Sequence, residues 1–198
     1  MHSLPYSGQR ACMNNPDDEL VRQAQSGDRQ AFGTLVRRHQ ARVFHFVRRL
    51  QGGGDEALDI SQETFLKAWL ALERWRPEAR FHTWLLQIAR NTTIDTLRRR
   101  QRQPLEPLES DDLLIDPGAS PLRHLENTQR LTHLEQHLAH LALEHREILL
   151  LREVEGLSYI ELAETLGVSE GTVKSRLARA REALLARYRH ATGGLPHD

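Results

Sequence analysis

Residues 157–185 contain two helix patterns separated by one glycine, and this feature constrains the fold most strongly. Ser158 followed by Glu161 is the signature of a capping box at a helix N-terminus. Gly167 can adopt the left-handed backbone conformation that ends a helix, and Ser169 can cap the helix that follows. The segment therefore predicts two helices joined by a tight turn, which is a helix-turn-helix.

The apolar spacing in this segment predicts how its two helices pack. In the second helix the apolar residues recur at spacings of four, three and four, which places them on one face. We expect this face to be buried against the first helix and the turn. The residues of the predicted contact are Ile160, Ala163, Leu166 and Val168 on one side and Val173, Leu177, Ala180 and Leu184 on the other.

The opposite face of the second helix is strongly basic. Residues 171–190 contain six Lys or Arg residues and one Asp or Glu. The small residues Gly171, Ser175 and Ala178 would let this helix enter a groove closely. The charge favours an anionic partner, and duplex DNA is the natural candidate. A purely structural helical hairpin is the alternative, but it does not account for the charge.

The N-terminal half of the chain also follows a helical period. No stretch of strict alternation is long enough to propose a strand, so the predicted fold class is all-α, with two small helical domains. The three glycines at 52–54 predict the end of the first long helix. The core residues predicted for that helix are Phe32, Leu35, Val36, Val43, Phe46, Val47 and Leu50.

The helix after the glycines has two adjacent stripes. One is apolar and predicts a core face, whereas the other mixes leucines with acids. The mixed stripe has two interpretations: it widens the core, or it is a docking surface for another protein, since such surfaces combine apolar residues with a charged rim. The predicted core stripe is Leu58, Phe65, Trp69 and Leu72, and the mixed stripe is Asp59, Glu63, Leu66 and Leu70.

A third helix is predicted to begin near Arg80 and to end in a cluster of arginines. Along one edge it combines a tryptophan, amides and a guanidinium, which suit single-stranded nucleic acid because rings stack on unpaired bases and arginines bind phosphate. A core tryptophan beside a solvated polar flank is the alternative. The predicted core face is Phe81, Leu85, Ile88 and Thr92, the edge is Trp84, Gln87, Asn91, Asp95 and Arg98, and the basic cluster is Arg98, Arg99, Arg100 and Arg102.

Charge is sorted along the chain, although the totals of 27 basic and 27 acidic residues cancel. The segment 104–124 has five acids against one base and four prolines, so it predicts an acidic, flexible linker. Such sorting predicts separate surfaces with separate partners. The predicted organisation is an N-terminal extension 1–16, a helical domain 17–103, the linker 104–124, a helical domain 125–190 and a tail 191–198.

Several classes of protein are not expected from this sequence. No apolar run approaches the roughly 20 residues of a membrane-spanning helix, and the single cysteine, Cys12, cannot form an internal disulfide. His133, His137 and His140 share one helical face and suggest a metal-dependent sensor as an alternative, but no neighbouring residue completes a ligand set. We therefore expect a cytoplasmic protein without metal, cofactor or catalytic residues.

Three motifs in order give the chain a family resemblance. They are DISQETFLKAW at 59–69, WLLQIARNTTIDTLRRR at 84–100 and SEGTVKSRLARARE at 169–182. Over residues 17–190 the chain resembles a bacterial sigma factor of the extracytoplasmic function (ECF) type in the sigma-70 family. In that family the motifs correspond to region 2.2, to regions 2.3 and 2.4, and to the recognition helix of region 4.2.

The resemblance implies three partners. It implies that core RNA polymerase contacts the N-terminal domain through its β′ clamp helices and the C-terminal domain through its β flap. It implies that promoter DNA is bound single-stranded at the −10 element and as duplex at the −35 element. It also implies an anti-sigma factor, as is common in the family, and a linker that occupies the RNA exit path of the polymerase.

The resemblance also implies roles for individual residues. Among the implied polymerase contacts, Phe65 disagrees with the helical periodicity, because the periodicity places it in the core. The implied contacts are Asp59, Gln62, Glu63, Phe65 and Leu66 for core polymerase; Arg80, Trp84, Arg90, Asn91, Asp95, Arg98 and Arg99 for −10 DNA; and Thr172, Lys174, Ser175, Arg176, Ala178, Arg179 and Arg181 for −35 DNA.

A helix-turn-helix regulator of the LuxR type is the alternative function. The run TVKSRL at 172–177 fits both families. The N-terminal half separates them, because a duplex-binding regulator does not need a strand-opening helix with tryptophan and arginines.

Overall fold

The computed structural model describes residues 15–76, 79–102 and 134–191. Within these ranges every regular element is helical, which confirms the predicted all-α class. None of the helices in the described part has the length and apolar character needed to cross a bilayer. The linker 104–124, Cys12, His133 and most of the predicted extension and tail lie outside the described residues.

The N-terminal bundle, residues 15–102, is organised around its longest helix. That helix contacts the other helices of the bundle, and its buried residues include five of the seven predicted, with the other two half-buried. The helices are α1 (Asp18–Gln25), α2 (Arg29–Gln51), α3 (Ala57–Leu72) and α4 (Phe81–Arg102).

Both ends of α2 follow from local chemistry. Oδ1 of Asp28 accepts hydrogen bonds from the backbone N–H groups of Gln30 and Ala31 at 2.7 and 3.1 Å, which caps the first turn. The helix ends where Gly52 adopts a φ of +83°, as the glycines predicted.

The buried face of α3 differs from the prediction. Leu58 is 56% exposed, so its assignment to the core is wrong. The hydroxyls of Ser61 and Thr64 are buried instead, and they donate to the carbonyls of Ala57 and Ile60 at 2.6 and 2.7 Å. Because these hydroxyls are satisfied within their own helix, their burial costs little.

The C-terminal bundle, residues 134–191, contains the helix-turn-helix. It opens with a short helical stretch at 134–139. One long element then starts as α5 (Leu143–Leu149) and continues as a π-helical turn (Leu150–Val154). The helix-turn-helix itself consists of α6 (Tyr159–Leu166) and α7 (Glu170–Ala191).

The turn chemistry of the helix-turn-helix is confirmed. Ser158 and Glu161 form the predicted capping box, and Gly167 ends α6 with a φ of +66°. Oγ of Ser169 accepts from the backbone N–H of Thr172 at 3.2 Å and so caps α7. The burial of Val173, Leu177 and Ala180 is confirmed and Leu184 is half-buried, but Ile160 is exposed and Leu162 is buried in its place.

The two bundles contact each other through polar groups. Nε of Arg42 donates to Oε2 of Glu155 at 2.5 Å, and Oγ1 of Thr83 donates to Oε1 of Glu161 at 3.0 Å. Basic residues of the N-terminal bundle therefore pair with acids of the C-terminal bundle. Sorted charge predicted a separate partner for each surface. At these positions that prediction is wrong, because the N-terminal and C-terminal bundles bind each other.

Candidate nucleic-acid and protein-binding surfaces

An exposed stripe runs along α3. We call it the α3 stripe and define it as Asp59, Gln62, Glu63, Leu66 and Leu70. Leu70 is 72% exposed and Leu66 is also exposed, so the interpretation of this stripe as a wider core is wrong. Exposed leucines beside carboxylates form a surface suited to a partner with apolar side chains and a basic rim.

Phe65 lies beside the α3 stripe but packs inward. It is half-buried and packs against the core, as its periodicity predicted. Its neighbour Trp69 is also half-buried, with a ring centroid 4.9 Å from that of Phe32. A polymerase contact by Phe65 would therefore involve only part of its ring.

Glu63 links the α3 stripe to α4. Its Oε1 lies 2.8 Å from Nζ of Lys67, and its Oε2 lies 3.9 Å from Nη2 of Arg99. Because all three side chains are partly exposed, these pairs contribute little stability. They place a predicted polymerase contact next to a predicted DNA contact.

The predicted edge of α4 is anchored at its N-terminal end by aromatic packing. The Trp84 ring is half-buried, with its centroid 5.5 Å from that of Trp75 and 5.7 Å from that of Phe81. Asn91 and Asp95 are exposed about two and three turns further along. The tryptophan therefore both packs on the core and leaves part of its surface at the edge.

The basic end of α4 is open to solvent. The Arg98 side chain is 68% exposed, and it lies 3.9 Å from Asp95. Arg99 is similarly exposed, and Arg80 lies exposed just before the helix. These side chains are free to approach a phosphate backbone.

Arg90 does not lie on this open edge. Its Nε donates to Oε2 of Glu147 at 2.8 Å and its Nη2 donates to Oε1 at 3.3 Å. Glu147 belongs to α5, so this ion pair joins the two bundles. Nη1 of Arg90 also donates to Oδ1 of Asn91 at 3.0 Å, so Arg90 connects an acid of the other bundle to one predicted −10 contact.

The central part of α7 exposes the face that the sequence predicted to be exposed. Lys174, Ser175, Ala178 and Arg179 are exposed, and Oγ of Ser175 donates to the carbonyl of Thr172 at 3.1 Å. No large side chain interrupts this face near Ala178. The arrangement allows α7 to enter a major groove with its N-terminal half nearest the bases.

The flanks of α7 are held by acids of the same bundle. Nη2 of Arg181 donates to Oε1 of Glu153 at 2.6 Å, and this hydrogen bond raises the pKa of Arg181. Arg176 is half-buried, and its guanidinium lies 3.7 Å from Glu147 and 3.8 Å from Glu144. Two of the predicted −35 contacts therefore have carboxylate partners within the protein.

Sequence analysis missed a buried cluster between the bundles. The rings of His39 and His82 stack at 6.0 Å, Nε2 of His39 lies 2.8 Å from Asp17, and Nε2 of His82 lies 3.5 Å from Glu155. Burial, aided by the charge of Arg42, lowers the pKa of His82 to about 4. His82 is therefore neutral near pH 7.

The acids of the interface have shifted pKa values. Burial raises the pKa of Glu155, against the opposing hydrogen bond from Arg42. Burial also raises the pKa of Glu161, but hydrogen bonds from Ser158 and Thr83 outweigh it and the net pKa is lowered. One signal for this cluster was present in the sequence, because His39 lies on the apolar period between Leu35 and Val43 in α2.

The suggested histidine metal site gains no support from the part of the chain that the structure describes. Within it no group of three or more His, Cys, Asp or Glu residues could hold a metal ion. His137 faces the Tyr188 ring instead, at a centroid distance of 5.9 Å. His133 lies outside the described residues.

Two family models match the two bundles. The model of sigma-70 region 2 matches residues 35–103, which include most of α2 and all of α3 and α4. The model of sigma-70 region 4 matches residues 133–184, which include α5, α6 and most of α7. The matches do not support the LuxR-type alternative.

Curated relatives match nearly the whole chain. The RNA polymerase sigma-H factor of Pseudomonas aeruginosa is 36% identical over 176 residues, which cover 85% of this chain and 91% of that protein. The ECF RNA polymerase sigma-E factor of Escherichia coli K12 is 36% identical over 176 residues, which cover 85% of this chain and 92% of that protein.

Solved structures match both bundles together. CnrH, in complex with the cytosolic domain of CnrY, matches with a TM-score of 0.67 and 29% identity over 89% of this chain and 99% of CnrH. The sigma factor RpoE of Bartonella quintana, in complex with the anti-sigma factor NepR, matches with a TM-score of 0.63 and 27% identity. The match covers 77% of this chain and 93% of RpoE. The chain belongs to the ECF group of the sigma-70 family of RNA polymerase sigma factors.

Proposed function

We propose that this sigma factor docks on core RNA polymerase through the α3 stripe, opens promoter DNA at the −10 element with the α4 edge and binds the −35 element with α7. The genes it serves respond to stress or to an envelope signal. The observation that supports this most directly is the α4 edge, where the partly exposed Trp84 precedes Asn91, Asp95 and Arg98. A protein that binds only duplex DNA has no use for this combination.

The α3 stripe supports the polymerase contact. Leu66 and Leu70 remain in water in the free protein, so a partner that covers them gains hydrophobic free energy. Asp59 and Glu63 flank the leucines and favour a basic rim on the partner. This chemistry suits the clamp helices of the β′ subunit.

The α4 edge supports strand opening at the −10 element. Extruding a base from the duplex costs a few kcal/mol, so the protein must return stacking and hydrogen bonds to that base. The Trp84 ring provides a face for stacking, held in place by Trp75 and Phe81. Arg98 and Arg99 would bind the phosphates that follow.

The α7 face supports binding of duplex DNA at the −35 element. Lys174 and Arg179 are exposed beside the small residues Ser175 and Ala178, which permits close contact with base edges. Thr172 and the pair Arg176 and Arg181 would contact the backbone. Contacts with the β flap would involve the remaining surface of the same bundle.

An anti-sigma factor is the proposed regulator. A protein that covers Leu66 and Leu70 would compete directly with polymerase for the α3 stripe. One solved relative is bound to an anti-sigma factor, which supports this assignment. The complex would form in the cytoplasm, where polymerase and promoter DNA are found, and the segment 104–124 would link the two domains.

Reconstituted transcription tests this function. Bacterial core polymerase, with and without the protein, transcribes sheared DNA of the source genome, and the transcript 5′ ends are sequenced. We expect new starts that share upstream −35 and −10 elements. Absence of such starts, together with tight duplex binding by the free protein, would overturn the proposal in favour of a conventional regulator.

A matched pair of variants assigns the activity to the α4 edge. The double variant Arg98→Gln/Arg99→Gln should lose most of the new starts. The double variant Arg22→Gln/Arg29→Gln removes the same charge from exposed positions of the same bundle and should keep them. Equal loss in both variants would show only a general dependence on charge.

A further inference from the structure

One side-chain amide at the end of α1 binds the segment that joins α3 to α4. Nε2 of Gln25 donates to the backbone carbonyl of Leu72 at 3.0 Å and to that of Trp75 at 2.9 Å. Both partners are carbonyl oxygens, which only accept hydrogen bonds, so the nitrogen of the amide must face them. The two N–H groups of this amide therefore fix one short stretch of backbone.

This stretch of backbone depends on a side-chain donor because it lies at and beyond the end of α3. The N–H of Trp75 donates to the carbonyl of Leu72 at 3.1 Å, but carbonyls past the last turn of a helix have no donor within that helix. In the described part of the chain, Gln25 supplies the donor for the Trp75 carbonyl. Gln25 is half-buried, which limits competition from water for these hydrogen bonds.

The backbone of Gln25 is itself held in place. Gln25 is the last residue of α1, which packs on α2, and the preceding residue, Ala24, is 3% exposed. In the turn that follows, the N–H of Gly27 donates to the carbonyl of Ala24 at 3.0 Å, and the N–H of Asp28 donates to that of Gln23 at 3.1 Å. The amide therefore extends from a fixed support.

The backbone that Gln25 binds carries an aromatic ring of the α4 edge. The Trp75 ring centroid lies 5.5 Å from that of Trp84 and 6.2 Å from that of Phe81. Trp84 is the ring that is proposed to stack on the extruded base, and the Trp75 ring packs beside it. A shift of the Trp75 backbone would remove packing from one side of Trp84 and widen the range of orientations of that ring.

We propose that Gln25 is a positioning residue for recognition of the −10 element: it fixes the backbone at Trp75, and the Trp75 ring then fixes the orientation of Trp84. This inference rests on the proposed function, from which it takes the role of Trp84. Gln25 acts through Trp75 and has no contact with DNA. The match to the sigma-70 region 2 model begins at residue 35, so the −10 surface depends on a helix that precedes the matched region.

A narrowly oriented Trp84 ring favours the base that fits the site. A ring that is oriented before binding loses less conformational entropy when a base stacks on it. Loss of the Gln25 hydrogen bonds should therefore weaken recognition of the preferred base more than that of a poorly fitting base. We define the discrimination ratio as transcription from a promoter with the preferred base divided by transcription from the same promoter with that base changed. At limiting protein this ratio does not depend on the folded fraction, so lower stability alone leaves it unchanged.

The first experiment compares Gln25→Met with Gln23→Met in transcription with core polymerase. The promoter is one identified by the sequenced transcripts, changed at the −10 position where wild type discriminates most strongly. Methionine keeps the length of glutamine but has no N–H donor. Gln23 is exposed on the same helix and its Nε2 donates to Oε1 of Glu19 at 2.9 Å, so the control also loses a side-chain hydrogen bond.

The two methionine variants should differ in the discrimination ratio. Gln25→Met should lower the ratio by about 2- to 10-fold, which corresponds to the net loss of one hydrogen bond. Gln23→Met should keep the wild-type ratio. Equal ratios in the two variants would refute the positioning role.

A variant of the same shape tests whether donation by the amide is the cause. Gln25→Glu keeps the size of the side chain but, at about pH 8, turns an ionised oxygen toward the two carbonyls. Its discrimination ratio should fall at least as far as that of Gln25→Met. A wild-type ratio in Gln25→Glu would show that the donated hydrogen bonds are not needed, which contradicts the proposal.

A double-mutant cycle tests whether Gln25 acts through the Trp75 ring. Trp75→Leu removes the ring and should lower the discrimination ratio by itself. If Gln25 acts by positioning that ring, adding Gln25→Met to Trp75→Leu should lower the ratio no further. Reductions that multiply would mean that Gln25 acts by another route, and the proposal would be wrong.

Transcription by wild type is measured in the same series. If wild type discriminates between bases and Gln25→Met behaves like Gln23→Met, the positioning role fails and the proposed function stands. If wild type directs no transcription, the proposed function fails and the inference fails with it. The two failures are therefore distinguishable.

Discussion

Nη1 of Arg146 lies 2.9 Å from the carbonyl oxygen of Leu50, so an arginine of the C-terminal bundle binds the C-terminal end of α2. The same guanidinium donates to the carbonyls of Leu138 and Leu141 at 2.9 and 3.1 Å, and also to that of Ala139. Burial lowers the pKa of Arg146, but carbonyls at helix ends favour the charged form. A cation bonded to four backbone carbonyls therefore joins the two bundles.

Substitution of Gly52 should disturb this contact. A Cβ at Gly52 would lie 2.6 Å from Nη1 of Arg146, whereas a Cβ at Gly53 would meet nothing within 4 Å. Both glycines have positive φ, so alanine at either position adds backbone strain of about 1 kcal/mol. We expect Gly52→Ala to lower the free energy of unfolding by a further ~1–3 kcal/mol, through loss of a charged hydrogen bond. Urea denaturation of both variants measures this, and equal losses would contradict it.

Local features were predicted well because their causes are local. The capping box of Ser158 and Glu161 and the helix stops at Gly52 and Gly167 depend on residues within one turn of the chain. Caps and glycine turns need no partner from elsewhere in the sequence. The C-terminal end of α2 and the boundaries of the helix-turn-helix were therefore predictable from the residues.

Which face of a helix is buried was predicted less well. Leu58 and Ile160 are exposed although they fit an apolar period, whereas Ser61 and Thr64 are buried. Helical periodicity ranks the faces of a helix by side-chain hydrophobicity, but a close-packed interior also accepts small side chains whose hydroxyls are satisfied within their own helix.

The contacts between the bundles were not predictable. Glu147 meets Arg90 across 57 residues of sequence, and nothing near Glu147 marks it as a buried acid. For these ion pairs the sequence signal was charge sorting, and it indicated separate partners instead of an internal pairing. Long-range ion pairs depend on how the bundles meet, which no local pattern specifies.

Leu66 should affect polymerase binding without affecting stability. Because Leu66 is exposed, Leu66→Ser should leave the free energy of unfolding within about 0.5 kcal/mol of wild type. Loss of an apolar anchor at an interface costs about 1–2 kcal/mol, which weakens association with core polymerase by roughly 5- to 30-fold. Biolayer interferometry with immobilised core polymerase measures this. Gln30→Ser, at an exposed position of α2 away from the α3 stripe, is the control and should bind as wild type does.

Arg179 and Arg181 should affect −35 binding in different ways. Arg179 is exposed on the central face of α7, so Arg179→Gln should relax specificity at one position, at a cost of about 1–3 kcal/mol for the preferred base. Arg181 already pairs with Glu153 on the flank, so Arg181→Gln should weaken binding to all sequences alike. Transcription from promoters that carry every single-base change in the −35 element separates the two. The assignment of Arg179 would be wrong if its variant lost activity uniformly.

The buried His82 should make stability depend on pH. Its pKa is about 4 in the folded protein against an ordinary value of 6.5. Between these values the unfolded chain binds a proton that the folded protein does not, so the free energy of unfolding falls as pH decreases from about 6.5 to about 4. The full effect is on the order of 3 kcal/mol.

The variant His82→Phe isolates this effect. It removes the titrating group but keeps a flat ring to stack on His39, so its stability should decline less than that of wild type over the same pH range. Glu155, whose pKa is raised, has the opposite slope, and because both proteins retain it the difference reports His82 alone. His140→Gln changes an exposed imidazole and should keep the wild-type slope. Parallel curves for wild type and His82→Phe in urea denaturation from pH 7 to about pH 4 would show that His82 is not held neutral at the interface.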